Sequence, residues 1–194
     1  MNIMEQDYKW NGSLINRAKT KYIILHHRGG NGDVQSIHKG HLANGWTGIG
    51  YHFYVRKDGT VYRGRPLYAT GAHCEGFNSN SVGICFEGNF QNETMSDKQV
   101  QAGSELIKYL KSLYPGVDVK KHEDFNSTLC PGKNFPFTDL LIAPKTLITS
   151  ANDIVWELSQ MIEITEVNKA VKALEKAKAE NSSLYWILYK IVNK

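Results

Sequence analysis

Three features of the chain predict an α/β fold, a mixed central β-sheet flanked by helices, with a small all-helical C-terminal appendage. Strand-like and helix-like segments interleave between residues 22 and 142, which is the pattern of a layered α/β domain. The pair Asp58-Gly59, set between two runs rich in aromatic and β-branched residues, predicts a tight hairpin. From Ser150 onward glycine and proline disappear and apolar residues recur at helical spacing. With 194 residues, 41% of them apolar, the chain can fill one core of ordinary size and carry an appendage. The expected division is 1–148 and 149–194.

Taken in order, residues 1–20 are polar with scattered aromatics, Tyr8 and Trp10 among them, and are expected to wrap over the core as an extended arm. Tyr22 to His26 reads as a buried strand, broken after His27 by Arg28-Gly29-Gly30. Asp33 is placed to cap a helix from Val34 to Ala43, with Gly45 as its left-handed stop. His38 and His41, three apart on that helix, lack a nearby acidic or cysteine partner and are read as surface or groove residues. Tyr51 to Val55 alternates as a strand and returns through Val61-Tyr62-Arg63. A Gly/Asn/Ser-rich loop runs from Gly71 to Ser81, ahead of the strand Val82 to Phe86. On that strand Cys85 and Glu87 share one face, and Val82, Ile84 and Phe86 the other. Ser96 and Gln99 form a capping box for a helix whose stripe is Val100, Gly103, Ile107, Leu110 and Leu113. Val117 to Val119 is a short strand, and Phe135 to Ile142 a closing helical turn. The tail reads as three helices, carrying Ile154 to Ile162, Val167 to Ala177 and Leu184 to Ile191. About 45 residues cannot bury such stripes well alone, so the tail should dock, pair with another chain or hold a ligand.

Composition narrows the function. The formal charge of +4 lies wholly in residues 1–150, because 151–194 hold six Lys against six acidic residues. An anionic partner fits, but no RNA- or DNA-reading motif is present, so nucleic acid is not expected. Cys74, Cys85 and Cys130 make no even disulfide framework and read as reduced thiols. The first residues lack the basic and apolar regions of an export signal, and no run approaches the ~18 apolar residues of a membrane span. Synthesis in the cytoplasm is the expectation.

The chemistry centres on His122-Glu123-Asp124-Phe125-Asn126-Ser127-Thr128-Leu129-Cys130-Pro131-Gly132, where a histidine and a cysteine stand eight positions apart in a polar segment. Imidazole and thiolate are strong zinc ligands, and a catalytic zinc site takes three protein ligands and leaves a fourth position open. The third donor is expected from the strand that ends in His26 and His27, with Cys74 as a rival. Spacing alone leaves His26 and His27 as alternatives.

Together with Gly48-Ile49-Gly50-Tyr51-His52-Phe53, Gly71-Ala72-His73 and Asn80-Ser81-Val82-Gly83-Ile84, these motifs resemble the zinc-dependent N-acetylmuramoyl-L-alanine amidases of the peptidoglycan-recognition-protein fold, phage amidase-type lysozymes included. The resemblance covers roughly residues 20–140. It implies one zinc ion on His26, His122 and Cys130, catalytic roles for Tyr51 and Thr128, and a substrate groove lined by Arg65, His73 and Asn80. Family members carry lysine or threonine at the position of Thr128, and a hydroxyl offers a hydrogen bond without a lysine's charge. The implied reaction is hydrolysis of the amide between N-acetylmuramic acid and L-alanine of peptidoglycan by a zinc-activated water. A phage or prophage lysis enzyme, reaching the wall when released during lysis, is the implied setting. Recognition-only members lose the metal, typically at the position of Cys130, which this chain keeps. Two alternatives stand beside catalysis: a peptidoglycan-binding module without turnover, and a structural zinc with His27 or Cys74 as fourth ligand. The C-terminal helices are expected to form a homodimer, dock on the amidase part or target the wall.

Overall fold

The computed structural model describes residues 2–142. The predicted helical segment 149–194, its boundary and its roles lie outside the described residues.

Six strands form one mixed sheet: β1 (Ile3–Met4), β2 (Tyr22–His27), β3 (Phe53–Val55), β4 (Val61–Arg63), β5 (Ser81–Phe86) and β6 (Asp118–Lys121). They lie in the order β1-β4-β3-β5-β2-β6. Only the β3/β4 hairpin is antiparallel; β2 lies parallel to both β5 and β6, and β3 parallel to β5. The predicted arm contributes β1, which pairs with β4, and Tyr8, whose hydroxyl donates to the Arg63 carbonyl at 2.8 Å.

Helix α1 (Val34–Ala43) starts at Asp33, whose carboxylate accepts from the Ser36 N–H at 2.6 Å, and is followed by Gly45 at φ +80°. Helix α2 (Asp97–Leu113) starts at Ser96, which accepts from the Gln99 N–H. The expected capping box is only half made. The Gln99 amide is buried and donates instead to the carbonyls of Val55 and Glu87, tying the helix start to the sheet. A short helix, α3 (Phe137–Leu141), closes the domain.

Alternation along the strands sorts the two faces of the sheet. Ile23 and Leu25 of β2, Val82, Ile84 and Phe86 of β5, and Phe53 and Val55 of β3 pack with Leu106, Ile107 and Leu110 of α2. Each such buried side chain contributes about 1.5–3 kcal/mol of transfer free energy. Tyr54 and Cys85 face the other way, onto Val34 and Ile37 of α1, Tyr8 and Ile49. On α2 the buried residue is Leu106 rather than the expected Leu113, which is 45% exposed. Steps of three fall short of a full turn by about 60° each, so the second step from Ile107 leaves the sheet-facing stripe, whereas Leu106 lies one turn before Leu110.

Strand register positions the chemistry. Leu25 pairs with Lys121, so the residues that follow, His26 and His122, emerge side by side at the carboxyl edge of two parallel strands.

Candidate metal centre

Nδ1 or Nε2 atoms of His26 and His122 and the Cys130 thiol come within 4.8 Å of one another, and this is the one His/Cys/acidic triad of such geometry among the described residues. The His26 Nδ1 to Cys130 Sγ distance is 3.8 Å, and the two imidazole centroids are 4.5 Å apart. A tetrahedral zinc with ordinary Zn–N and Zn–S bonds holds its donors roughly 3.3–3.6 Å apart. Two imidazoles and one sulfur at this spacing therefore fit zinc with small adjustments.

The choice between the adjacent histidines follows from the pleat. His26 is 1% exposed and faces the triad, whereas the His27 ring lies on the opposite face and its Nδ1 accepts from the Phe90 N–H at 3.2 Å. His27 contributes its backbone instead: its N–H points at Cys130 Sγ from 3.4 Å. Burial pushes the Cys130 thiol up to about 11, against the pull of that N–H, so a metal ion binding here displaces a proton. Cys74, the rival ligand, donates its S–H to Asn126 Oδ1 at 3.0 Å. With His27 and Cys74 both engaged elsewhere, the described residues offer no fourth ligand, which is the donor set of an open site.

Burial, then the neighbouring imidazolium charges of His122 and His27, lower the His26 pKa well below the ordinary value. Burial likewise lowers His122. Both rings are thus held neutral, the state in which imidazole binds metal.

The residues predicted around the triad are placed as follows. The Tyr51 ring centroid lies 5.2 Å from that of His26, and burial raises its phenol pKa well above the usual value, keeping the hydroxyl a donor at neutral pH. Thr128 Oγ1 accepts from the Cys130 N–H at 3.2 Å and lines a groove of about 770 Å³ that also takes in His122, Arg65, His73 and Trp46. The buried Arg65 donates from Nε to the Ile49 carbonyl and from Nη1 to the Thr70 carbonyl, and among the described residues it has no carboxylate partner. His73 is buried, with its Nδ1 3.0 Å from His26 Nε2. Asn80 lies apart from the groove lining; its carbonyl accepts from the Lys21 N–H at 2.7 Å, tying a 3-10 turn to the residue ahead of β2, and it is Asn78 that reaches the groove.

Three roles were not read from the sequence. His38, expected at the surface or groove, is buried: its Nδ1 accepts from the Ile49 N–H at 3.1 Å and its Nε2 donates to the Lys9 carbonyl. His41 Nδ1 accepts from the Gly50 N–H at 3.0 Å, so the two helix histidines hold the segment that leads into Tyr51. Asn126 accepts from His122 Nε2 at 3.2 Å. The four-residue spacing from His122 was a usable signal for that contact, because one helical turn brings such side chains together. For His38 and His41 no local signal existed, since their partners lie on another segment.

Comparison with known proteins gives a consistent set. The family model for N-acetylmuramoyl-L-alanine amidase (Amidase_2) matches residues 16–133. The endolysin of Enterobacteria phage T3 is 34% identical over 124 residues, 59% of this chain and 82% of the phage protein. Peptidoglycan-recognition protein SC2 of Drosophila melanogaster is 35% identical over 126 residues, 58% of this chain and 68% of the fly protein. Among solved structures, N-acetylmuramoyl-L-alanine amidase LysC from Clostridium intestinale URNW superposes with a TM-score of 0.71 at 42% identity, over 72% of this chain and 95% of that one.

Proposed function

Because this chain belongs to the N-acetylmuramoyl-L-alanine amidase family, we propose that it hydrolyses, with one zinc ion, the amide joining N-acetylmuramic acid to L-alanine of bacterial peptidoglycan. The observation that carries this reading is the convergence of His26, His122 and Cys130 beside a groove large enough for a glycopeptide, with no fourth protein ligand among the described residues. When bound, zinc supplies Lewis acidity that polarises an amide carbonyl and makes a water nucleophile available near neutral pH.

The chain's own residues do the rest. Tyr51, a buried phenol that stays protonated, donates a hydrogen bond toward the oxyanion that develops on the attacked carbonyl. Thr128 Oγ1 uses one of its two lone pairs to accept from the Cys130 N–H, and its hydroxyl proton is left to point into the groove as a second donor. Arg65, a desolvated guanidinium with two of its nitrogens anchored to backbone carbonyls, presents positive charge to a carboxylate of the stem peptide. His73 sits between groove and metal. Asn80 contributes through the turn that shapes the groove's edge.

The phage T3 relative is named an endolysin, and 82% of its length is covered; a lytic role, with action on the wall after release from a host cell, fits that likeness. No helix among the described residues is long and apolar enough to cross a membrane. The likeness to a recognition protein favours peptidoglycan as ligand under either reading, and retention of all three metal donors favours turnover. With zinc, the purified protein releases new L-alanine amino groups from a peptidoglycan suspension and no new reducing sugar ends. Cys130→Ser loses that release while still sedimenting with the walls. New reducing ends, or unchanged release by Cys130→Ser, refutes the proposal.

A further inference from the structure

The two imidazoles of the triad each turn one nitrogen to the metal position and the other to a polar partner, and both partners are organised by the loop from Gly71 to Asn78. His26 Nε2 lies 3.0 Å from His73 Nδ1, His73 Nε2 lies 3.4 Å from Ser81 Oγ, and Ser81 Oγ lies 2.7 Å from the Phe77 carbonyl oxygen. The last contact sets the direction of the whole series, because a carbonyl oxygen only accepts. Ser81 must donate its proton to Phe77 and so receives one from His73 Nε2. A neutral His73 protonated on Nε2 has a bare Nδ1, which accepts from His26 Nε2–H. His26 is left with its lone pair on Nδ1, the atom that faces Cys130 Sγ.

His122 is served in the same sense. Asn126 Oδ1 lies 3.2 Å from His122 Nε2 and 3.0 Å from the Cys74 thiol, and an amide oxygen accepts from both. His122 Nε2 therefore carries the proton and Nδ1 the lone pair. The loop that presents His73 and Cys74 is itself pinned, since Asn78 Oδ1 accepts from the backbone N–H groups of both residues, at 2.7 and 2.9 Å.

The seat of the His73 ring is built to its shape. A Cβ placed on Gly71 would stand 2.4 Å from His73 Cδ2, and one on Gly83 2.6 Å from its Cδ2 and Cγ. Two glycines, one in the loop and one in the middle of β5, leave a slot that no methyl group could share. A ring flip would put carbon where each nitrogen now bonds, so slot and hydrogen bonds select one orientation.

We propose that His73 is a positioning residue that fixes the Nδ1-bare tautomer of His26 through the Ser81 to Phe77 carbonyl relay, with Asn126 doing the same for His122. The proposal rests on the zinc reading of the triad. Its consequence is a metal site whose ligand tautomers are set before the ion arrives, and partners of this kind are typically worth 10–100-fold in metal affinity.

The test measures zinc affinity of the full chain by competition with a coloured chelator, alongside long-range proton–nitrogen NMR spectra of the histidine rings. His73→Leu is expected to weaken zinc binding by about 10–100-fold. His73→Asn, whose side-chain oxygen stands where Nδ1 stands, is expected to recover much of that loss, which a residue needed only to fill space would not do. Ser81→Ala, which keeps the ring but removes the acceptor for Nε2–H, is expected to shift the His73 tautomer mixture seen by NMR. Wild-type zinc affinity in His73→Leu, or a proton on His73 Nδ1 in the zinc-loaded spectrum of the unsubstituted protein, overturns the proposal. Should His73→Leu fail to fold, the NMR assignment and the Ser81→Ala variant still decide it. Absence of stoichiometric zinc binding by the unsubstituted protein would bring down the zinc reading itself, an outcome distinct from either of these.

Discussion

His52 makes the stability of this domain depend on pH in a way that can be computed from its contacts. Its ring is fully buried; Nδ1 accepts from the Gly83 N–H at 3.0 Å, and Nε2 donates to the Ala69 carbonyl at 2.9 Å. The neutral ring is thus satisfied at both nitrogens, and Arg17 Nη1, 2.9 Å from Nε2, adds a like charge against protonation. A second proton would have to sit on Nδ1, facing the Gly83 N–H head-on. Burial, the largest cause, and the neighbouring arginines lower its pKa from 6.5 to about 3, although the hydrogen bond to Ala69 pulls the other way. Between those two values the unfolded chain holds a proton that the folded chain refuses. Stability from this group is therefore complete above the unfolded pKa and falls as pH drops from about 6.5 toward 3, at about 1.4 kcal/mol per pH unit. Between pH 7.5 and pH 5 the expected loss is about 2 kcal/mol. Urea unfolding of the unsubstituted protein and of His52→Asn at both pH values, at the same excess of zinc, isolates the effect. His52→Asn is less stable at pH 7.5, yet should lose about 2 kcal/mol less than the parent on going to pH 5. Equal losses in both proteins would show that His52 titrates alike folded and unfolded, and the reasoning from its two hydrogen bonds would be wrong.

Three further outcomes follow from the site and its supports. Gly50→Ala puts a Cβ 1.9 Å from the Ala72 carbonyl oxygen, a backbone atom that cannot swing aside, so urea denaturation should show a loss of about 3 kcal/mol or more, and an unchanged midpoint would refute the close approach. Tyr51→Phe removes the hydroxyl proposed as donor to the oxyanion, together with its hydrogen bond to the Cys85 thiol; kcat for release of L-alanine amino groups should fall by about 10²–10³ with zinc affinity and wall binding unchanged. Arg65→Gln keeps a donor but removes the charge facing the groove, and its larger effect is expected on KM than on kcat, whereas an equal fall in kcat and kcat/KM would assign the charge to the transition state.

Much of this protein is written in local pattern. The Asp58-Gly59 turn, the Asp33 and Ser96 caps and the helical bounds at Val34, Ala43 and Leu113 depend on a few neighbouring residues and on backbone preferences that act over one turn. His122 and Cys130 stood out too, with a third partner narrowed to His26 or His27, because histidine and cysteine at the ends of strands and in polar loops carry chemistry that few other residue types can supply. What only the folded chain decided was orientation. That His26 and not His27 turns to Cys130 depends on which face of β2, the one carrying Ile23 and Leu25, packs with α2, and on the register that sets Leu25 against Lys121. Leu113 left the apolar stripe, Gln99 left its capping box for two strand carbonyls, and His38 and His41 went to the N–H groups of Ile49 and Gly50. Each of these depends on an atom that is distant in sequence and near only after the sheet has closed. A one-dimensional period says which side chains share a face; it says nothing of what the face will meet.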